Sequence, residues 1–163
     1  MSIHIDEADA VGIVRYFLNE HGLPRYEAHD ERYWKLGIWI TMEIGGNFAA
    51  ALEALDAVFQ VLEGSGEATG WEGESMDVRF TPKELILTDY DTSTASYPMA
   101  VVRIELERYW KFLLTLTPGP GVVRGFRPDL TESEASLLQW EEARGRRHPY
   151  RGRIEGIPAQ GPT

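Results

Sequence analysis

The chain is expected to fold as an α+β protein in which an antiparallel sheet of three to five strands packs against two to three helices, with a C-terminal helical, Arg-rich extension. Three observations lead there. Apolar–polar alternation of strand length recurs at Leu36–Ile44, Ser75–Thr81 and Glu84–Asp89. Longer stretches between and after them space their apolar residues three and four apart, the period of a helix. At 163 residues with 43% hydrophobic and 26% charged side chains, the chain can form one ordinary core that buries roughly 70% of the unfolded surface.

Asp6, Glu7 and Asp9 supply acidic caps, and Val11, Val14 and Leu18 follow at helical spacing, so a helix is expected over Glu7–Glu20. Gly22 and Pro24 end it. Tyr26, His29, Tyr33 and Trp34 then stand among charged residues, either as a loop or first strand closing over the sheet edge or as one wall of a pocket. Leu36–Ile44 places Leu36, Ile38, Ile40, Met42 and Ile44 on one face and Trp39 on the other, which reads as a half-buried strand whose Trp39 needs a cover. Asn47 caps the next helix, where Phe48, Leu52, Leu55, Phe59 and Leu62 form one stripe, and Gly64 provides a left-handed stop.

Glycines make 64–74 a loop. Ser75–Thr81 and Glu84–Asp89, joined by Pro82-Lys83, form an antiparallel hairpin. After the polar run 89–95, Ser96–Val102 is expected as a strand at the sheet edge because Pro98 lacks a ladder donor, and Arg103–Leu116 as a helix. Two prolines and two glycines in Thr117–Gly121 divide a compact body, 1–121, from an extension, 122–163. Within the extension, Thr131 and Glu134 have capping-box spacing for a short helix over about 132–143. Five arginines follow in Arg144–Arg153.

Charge is unevenly placed. Residues 1–123 hold 20 acidic against nine basic side chains, a net of −11, while residues 124–163 hold six against seven. An acidic body repels nucleic-acid phosphate and steers a basic partner inward. Nucleic acid is therefore disfavoured despite Arg144–Arg153; the preferred reading folds that tail back onto the chain's own acidic face. There is no cysteine, which removes disulfides and thiolate ligands. The N-terminus lacks the basic and apolar regions of a signal peptide, and no stretch approaches about 18 apolar residues, so a cytoplasmic protein away from the membrane is expected.

Chemistry-bearing patterns fail on their own terms. His4, His21, His29 and His148 have no metal-ligand spacing, so neither metal nor other cofactor is expected. Asp89, Asp91 and Ser93 open like a calcium loop, but Thr94 stands where the turn needs glycine and Ala100 where a bidentate glutamate belongs. Gly64-Ser65-Gly66 follows a helix and is not followed by a lysine, against a phosphate loop. No serine sits in an elbow motif beside a base.

The order of features — an amphipathic strand, the helix AALEALDAVFQVLEG, a glycine loop with Trp71 and Gly73, the strands MDVRF and ELILTD, and a helix with ERYWKFLL — resembles small bacterial immunity proteins of contact-dependent and polymorphic toxin systems and the similar YacL-like proteins of unknown function. The resemblance spans about residues 36–116 and stops before the arginine-rich extension. It implies a non-enzymatic binding protein that covers a toxin. In this chain the expected partner-binding residues are Glu72, Glu74, Asp77, Asp89 and Asp91, whose acidic surface would meet a basic toxin. The alternative is a small-molecule-binding or enzymatic domain with a pocket built from Tyr26, His29, Tyr33, Trp34 and Trp39. Homo-oligomer formation is compatible with either.

Overall fold

The computed structural model describes residues 2–4, 14–116 and 123–163. Strands β1 (Ser2–His4), β4 (Thr69–Glu72), β5 (Met76–Phe80), β6 (Glu84–Asp89) and β7 (Thr94–Pro98) form one sheet in the order β1-β7-β6-β5-β4. Its β4 to β7 part is antiparallel, and β1 joins β7 in parallel. Strands β2 (Val14–Leu18) and β3 (Pro24–Ala28) pair as a separate hairpin. The helices are α1 (Trp34–Ile38), which continues as a π-helix over Trp39–Ile44, then α2 (Phe48–Leu62), α3 (Met99–Leu114) and α4 (Glu132–Arg144). The α+β class, the antiparallel sheet and the C-terminal helix are as the sequence predicts.

The sheet has two unlike faces. Met76, Val78, Phe80, Leu85, Leu87, Ala95 and Tyr97 alternate onto the side that α2 and α3 cover, and all are buried. Asp77, Arg79, Thr88 and Ser96 alternate onto the other. Asn47 caps α2 as expected, its Oδ1 accepting from the amides of Ala49 at 2.9 Å and Ala50 at 3.2 Å. The Thr131/Glu134 capping box of α4 is complete.

Several local expectations are corrected. Val14–Leu18 is not part of a helix but strand β2, and Asn19 and Glu20 lie in the turn that follows it; residues 7–13 of the expected helix lie outside the described residues. Asn19 closes the β2–β3 hairpin by accepting from the amides of His21 (2.8 Å) and Leu23 (3.0 Å), and Tyr16 faces inward, edge-on to Tyr109 at 5.0 Å. Leu36–Ile44 is helical, not a strand. Its buried residues are Leu36, Gly37, Trp39, Ile40, Thr41 and Ile44, whereas Met42 is 62% exposed. The Gly45 amide donates to the Ile40 carbonyl, the five-residue step of a π-turn, and Thr41 Oγ1 donates to the Gly37 carbonyl at 2.7 Å.

Gly64 is not the left-handed stop; Gly66 has that geometry, with φ 73°. Gly64 instead lies so close to Gln60 that a Cβ would approach its side chain to 2.3 Å. The stretch 64–74 contains β4, so it is not all loop. β7 lies between β6 and β1 rather than at the edge, because Pro98 is its last residue and the N-cap of α3, and Met99–Val102 is already helical. Thr117–Gly121 lies outside the described residues. No helix among the described residues is long and apolar enough to cross a membrane.

The C-terminal residues return to the body. α4 packs on α2, and Tyr150 and Ile157 enter the same core. Arg144 pairs with Glu53, Arg146 with Asp56 (2.9 Å), Arg151 with Glu141 (2.5 Å) and Arg153 with Glu63 (2.8 Å), while Arg147 donates to the Ala159 carbonyl. The arginine run thus lies against the chain's own carboxylates.

Candidate binding site

The antiparallel register brings the acidic residues singled out in the sequence to one end of the sheet. Glu72 ends β4 opposite Asp77, Asp89 ends β6 opposite Met76, and the Tyr90 hydroxyl ties the β6–β7 turn to the Glu74 carbonyl in the β4–β5 turn. Glu74, Asp77 and Asp91 are exposed. Asp89 is half-buried and ion-pairs with Lys35, which also donates to Ser93 Oγ at 2.7 Å. Asp91 accepts from the Ser93 amide at 2.9 Å, a bond that holds its carboxyl below the usual range. Among the described residues, no side-chain cation pairs with Glu74 or Asp77.

Glu43, on the π-helix, fixes the β4–β5 turn from beneath. Its carboxylate accepts from the Glu74 amide (3.1 Å), the Ser75 amide (2.8 Å) and Ser75 Oγ (2.6 Å). Partial burial works against its ionised form, but these bonds prevail and lower its pKa. Sequence reading passed over Glu43 because its role depends on a partner about thirty residues away. A Cβ at Gly73 would stand 2.9 Å from the same carboxyl group, so a side chain there would push the turn off its anchor.

Along β4 from this acidic end runs a groove of about 890 Å³, with α2 as its floor and α4 as its far wall. Ala50, Glu53, Ala57 and Gln60 recur along one side of α2, and the two alanines leave the space. Across the groove, Trp140 Nε1 donates to Glu53 Oε1 at 2.7 Å, Arg144 and Arg146 lie over the Trp140 ring at 5.4 and 5.0 Å, and Gln60 Nε2 reaches Asp56 at 3.2 Å. On the near side stand Ala68, Thr69, Gly70 and Trp71, with buried Phe80 behind them. Trp71 is braced by Trp39, whose ring meets it edge-on at 5.7 Å. Trp39 therefore finds its cover in the sheet itself, with Phe80 edge-on at 5.8 Å, and its Nε1 is buried without a partner among the described residues.

The aromatic cluster lies elsewhere. Tyr33 is buried and stacks on Tyr97 at 6.2 Å, Tyr26 lies against Gly37, and His29 and Trp34 are exposed. Tyr97 donates to the Arg32 carbonyl (2.7 Å) and accepts from the Leu36 amide (3.2 Å), and burial pushes its hydroxyl pKa up. None of Tyr26, His29, Tyr33, Trp34 or Trp39 lines the groove or the two smaller depressions. One of those depressions, of about 300 Å³, gathers Arg15, Tyr16, Arg108 and Lys111, but Arg15 is held by Glu27 and Arg108 by the buried Glu105 at 2.6 Å.

Among the described residues, the groove holds no assembled nucleophile. Its hydroxyls, Ser65, Thr69 and Ser136, have no histidine among the lining residues, and of its carboxylates Glu53 and Asp56 are tied to arginines while Glu67 is exposed. Among the described residues, no group of three or more His, Asp or Glu side chains could hold a metal ion. No family model, curated protein or solved structure matches the chain.

Proposed function

We propose that this chain is a non-enzymatic binding protein whose acidic sheet end receives a basic protein partner, in the role of an immunity protein against a toxin. The reading rests on one observation: Glu72, Glu74, Asp77, Asp89 and Asp91, dispersed over twenty residues of sequence, converge on one end of the sheet, and among the described residues Asp89 pairs with Lys35 while Glu74 and Asp77 face no side-chain cation. Carboxylates left exposed around a rigid hairpin accelerate encounter with a cationic surface and orient it. Anchoring of the turn by Glu43 means that binding need not order it first.

The test is co-expression with the product of the neighbouring gene. That product alone is expected to arrest growth, and this chain to restore it and co-elute with it. The exposed triple substitution Glu74→Lys, Asp77→Lys, Asp91→Lys should slow association by at least tenfold at low salt while the far-UV circular dichroism spectrum stays native. A harmless neighbour that forms no complex, or association indifferent to the triple substitution, would count decisively against this function.

A further inference from the structure

The geometry points to a specific mode of attachment: an extended, lysine- or arginine-bearing segment of the partner adds to the sheet as a sixth strand beside β4, seated in the groove between β4 and α4. This inference deepens the binding role proposed above and rests on it.

Among the described residues, β4 is an edge of the sheet, bonded to β5 on one side only. In an antiparallel ladder alternate residues turn their N–H and C=O groups away from the partner strand, so an edge strand presents a row of free groups. Among the described residues, no other hydrogen bond reaches the backbone of Thr69, Gly70 or Trp71. What lies beyond that edge is neither bulk solvent on all sides nor a covering helix, but the alanine-floored groove. A neighbouring strand sits about 4.8 Å away, and four paired residues extend about 13 Å. Its inward side chains would meet Ala50, Ala57 and the rings of Trp71 and Trp140, which favours apolar residues there. Its outward side chains would lie on the face that carries Asp77 opposite Glu72 and Arg79 opposite Gly70, so that its basic residues belong at the two ends, beside the acids, and not at the centre.

Charge selects the occupant. Glu67 precedes β4 and Glu74 follows it, both exposed. If two copies of this chain paired their β4 edges antiparallel about Gly70 and Trp71, Glu67 of each would oppose Glu74 of the other, and like charges in direct opposition destabilise a ladder. The acids that repel a second copy attract lysine or arginine. An edge of four residues flanked by glutamates is guarded against self-assembly yet open to a basic strand.

The experiment pans a phage-displayed library of random dodecapeptides on the full chain, then measures binding of the enriched peptides by fluorescence anisotropy and their footprint by amide hydrogen exchange. Expected are sequences with alternating apolar residues at the centre and basic residues at the two ends, at least tenfold slower exchange within Thr69–Glu72 on binding, and at least tenfold weaker affinity for the Glu67→Lys, Glu74→Lys double variant. Both of those positions are exposed, so this variant retains the fold. Ala57→Trp, which fills the floor, should abolish binding. Failure to enrich any peptide, protection confined to other segments, acidic or uncharged selected sequences, or a dimer protecting β4 in the absence of peptide would each overturn strand addition. If the toxin complex forms but leaves the β4 amides exchanging freely, strand addition fails while the binding function stands; if β4 binds basic peptides but the neighbour is harmless and forms no complex, the immunity role fails instead.

Discussion

Leu36–Ile44 and Met76–Phe80 carry the same alternation of apolar and polar residues, yet one is a helix and the other a strand. The ambiguity is arithmetic. Leu36, Ile40 and Ile44 are four apart, a spacing that fits both the period of 2 of a strand and the period of 3.6 of a helix. The residues that discriminate are the others. On a strand, Ile38 and Met42 share the buried face with them; in the structure Met42 is 62% exposed, while Gly37 and Thr41 complete a helical stripe with Leu36, Ile40 and Ile44. In Met76–Phe80 there is no second solution, because Asp77 and Arg79 leave only the alternating residues to bury. Alternation is decisive when the intervening residues are charged, and not when they include tryptophan, threonine and glycine.

Mutations can press on this contrast. The largest expected effect is a split between two residues that a strand would treat alike: Ile40→Ala should cost about 2–5 kcal/mol, the range for truncating a buried aliphatic side chain, whereas Met42→Ala should change stability by no more than about 0.5 kcal/mol. Urea denaturation measures both, and equal losses would restore the strand. Gly37→Ala comes next. In an unobstructed helix this change gains about 1 kcal/mol, but here the new Cβ would lie 2.4 Å from the Tyr26 ring, and overpacking of about 1–3 kcal/mol outweighs the gain, for a net loss near 1 kcal/mol. A stabilised variant would mean that Tyr26 yields freely.

The smallest effect belongs to a segment with no regular period at all. His148 is buried between Trp140 and Tyr150; its Nδ1 accepts from the Tyr150 amide at 3.1 Å, which leaves Nε2 to donate to the Leu52 carbonyl at 2.8 Å. Burial lowers its pKa from 6.5, against the opposing pull of the Leu52 bond and of Asp56 and Glu141. The unfolded chain therefore takes up a proton at a pH where the folded chain does not. Its contribution to stability is complete above pH 6.5 and is lost as the pH falls from 6.5 through the lowered value, with a slope of at most about 1.4 kcal/mol per pH unit. Denaturation midpoints between pH 8 and pH 5 should fall for the native chain more steeply than for His148→Gln.

Legibility of the site follows the same division. The acids were visible as residues, and the β5–β6 hairpin that brings Asp89 to the end of the sheet where Asp77 stands was visible as a pattern, because a two-strand turn is a local solution. The groove was not. Its near wall, β4, reads as a glycine loop since Gly70 and Gly73 mask a four-residue strand, and its far wall depends on α4 docking on α2, some ninety residues apart. The aromatic segment carried the opposite error: Tyr33 and Trp39 read as a pocket wall, but they fill the core.

What the sequence determined by itself is the set of elements whose local signals admit one answer: α2 behind its Asn47 cap, α4 behind its capping box, the β5–β6 hairpin with charged residues between apolar ones, and an acidic body with a basic tail. Only the tertiary structure decided that Leu36–Ile44 coils, that Val14–Leu18 pairs with Pro24–Ala28, and that the arginine tail is spent on Glu53, Asp56, Glu63 and Glu141. The physical reason is that caps and charged alternation act within one or two turns of chain, whereas the burial of Trp39, the pairing of a buried carboxylate and the opening beside β4 are properties of surfaces that meet only once the chain has folded.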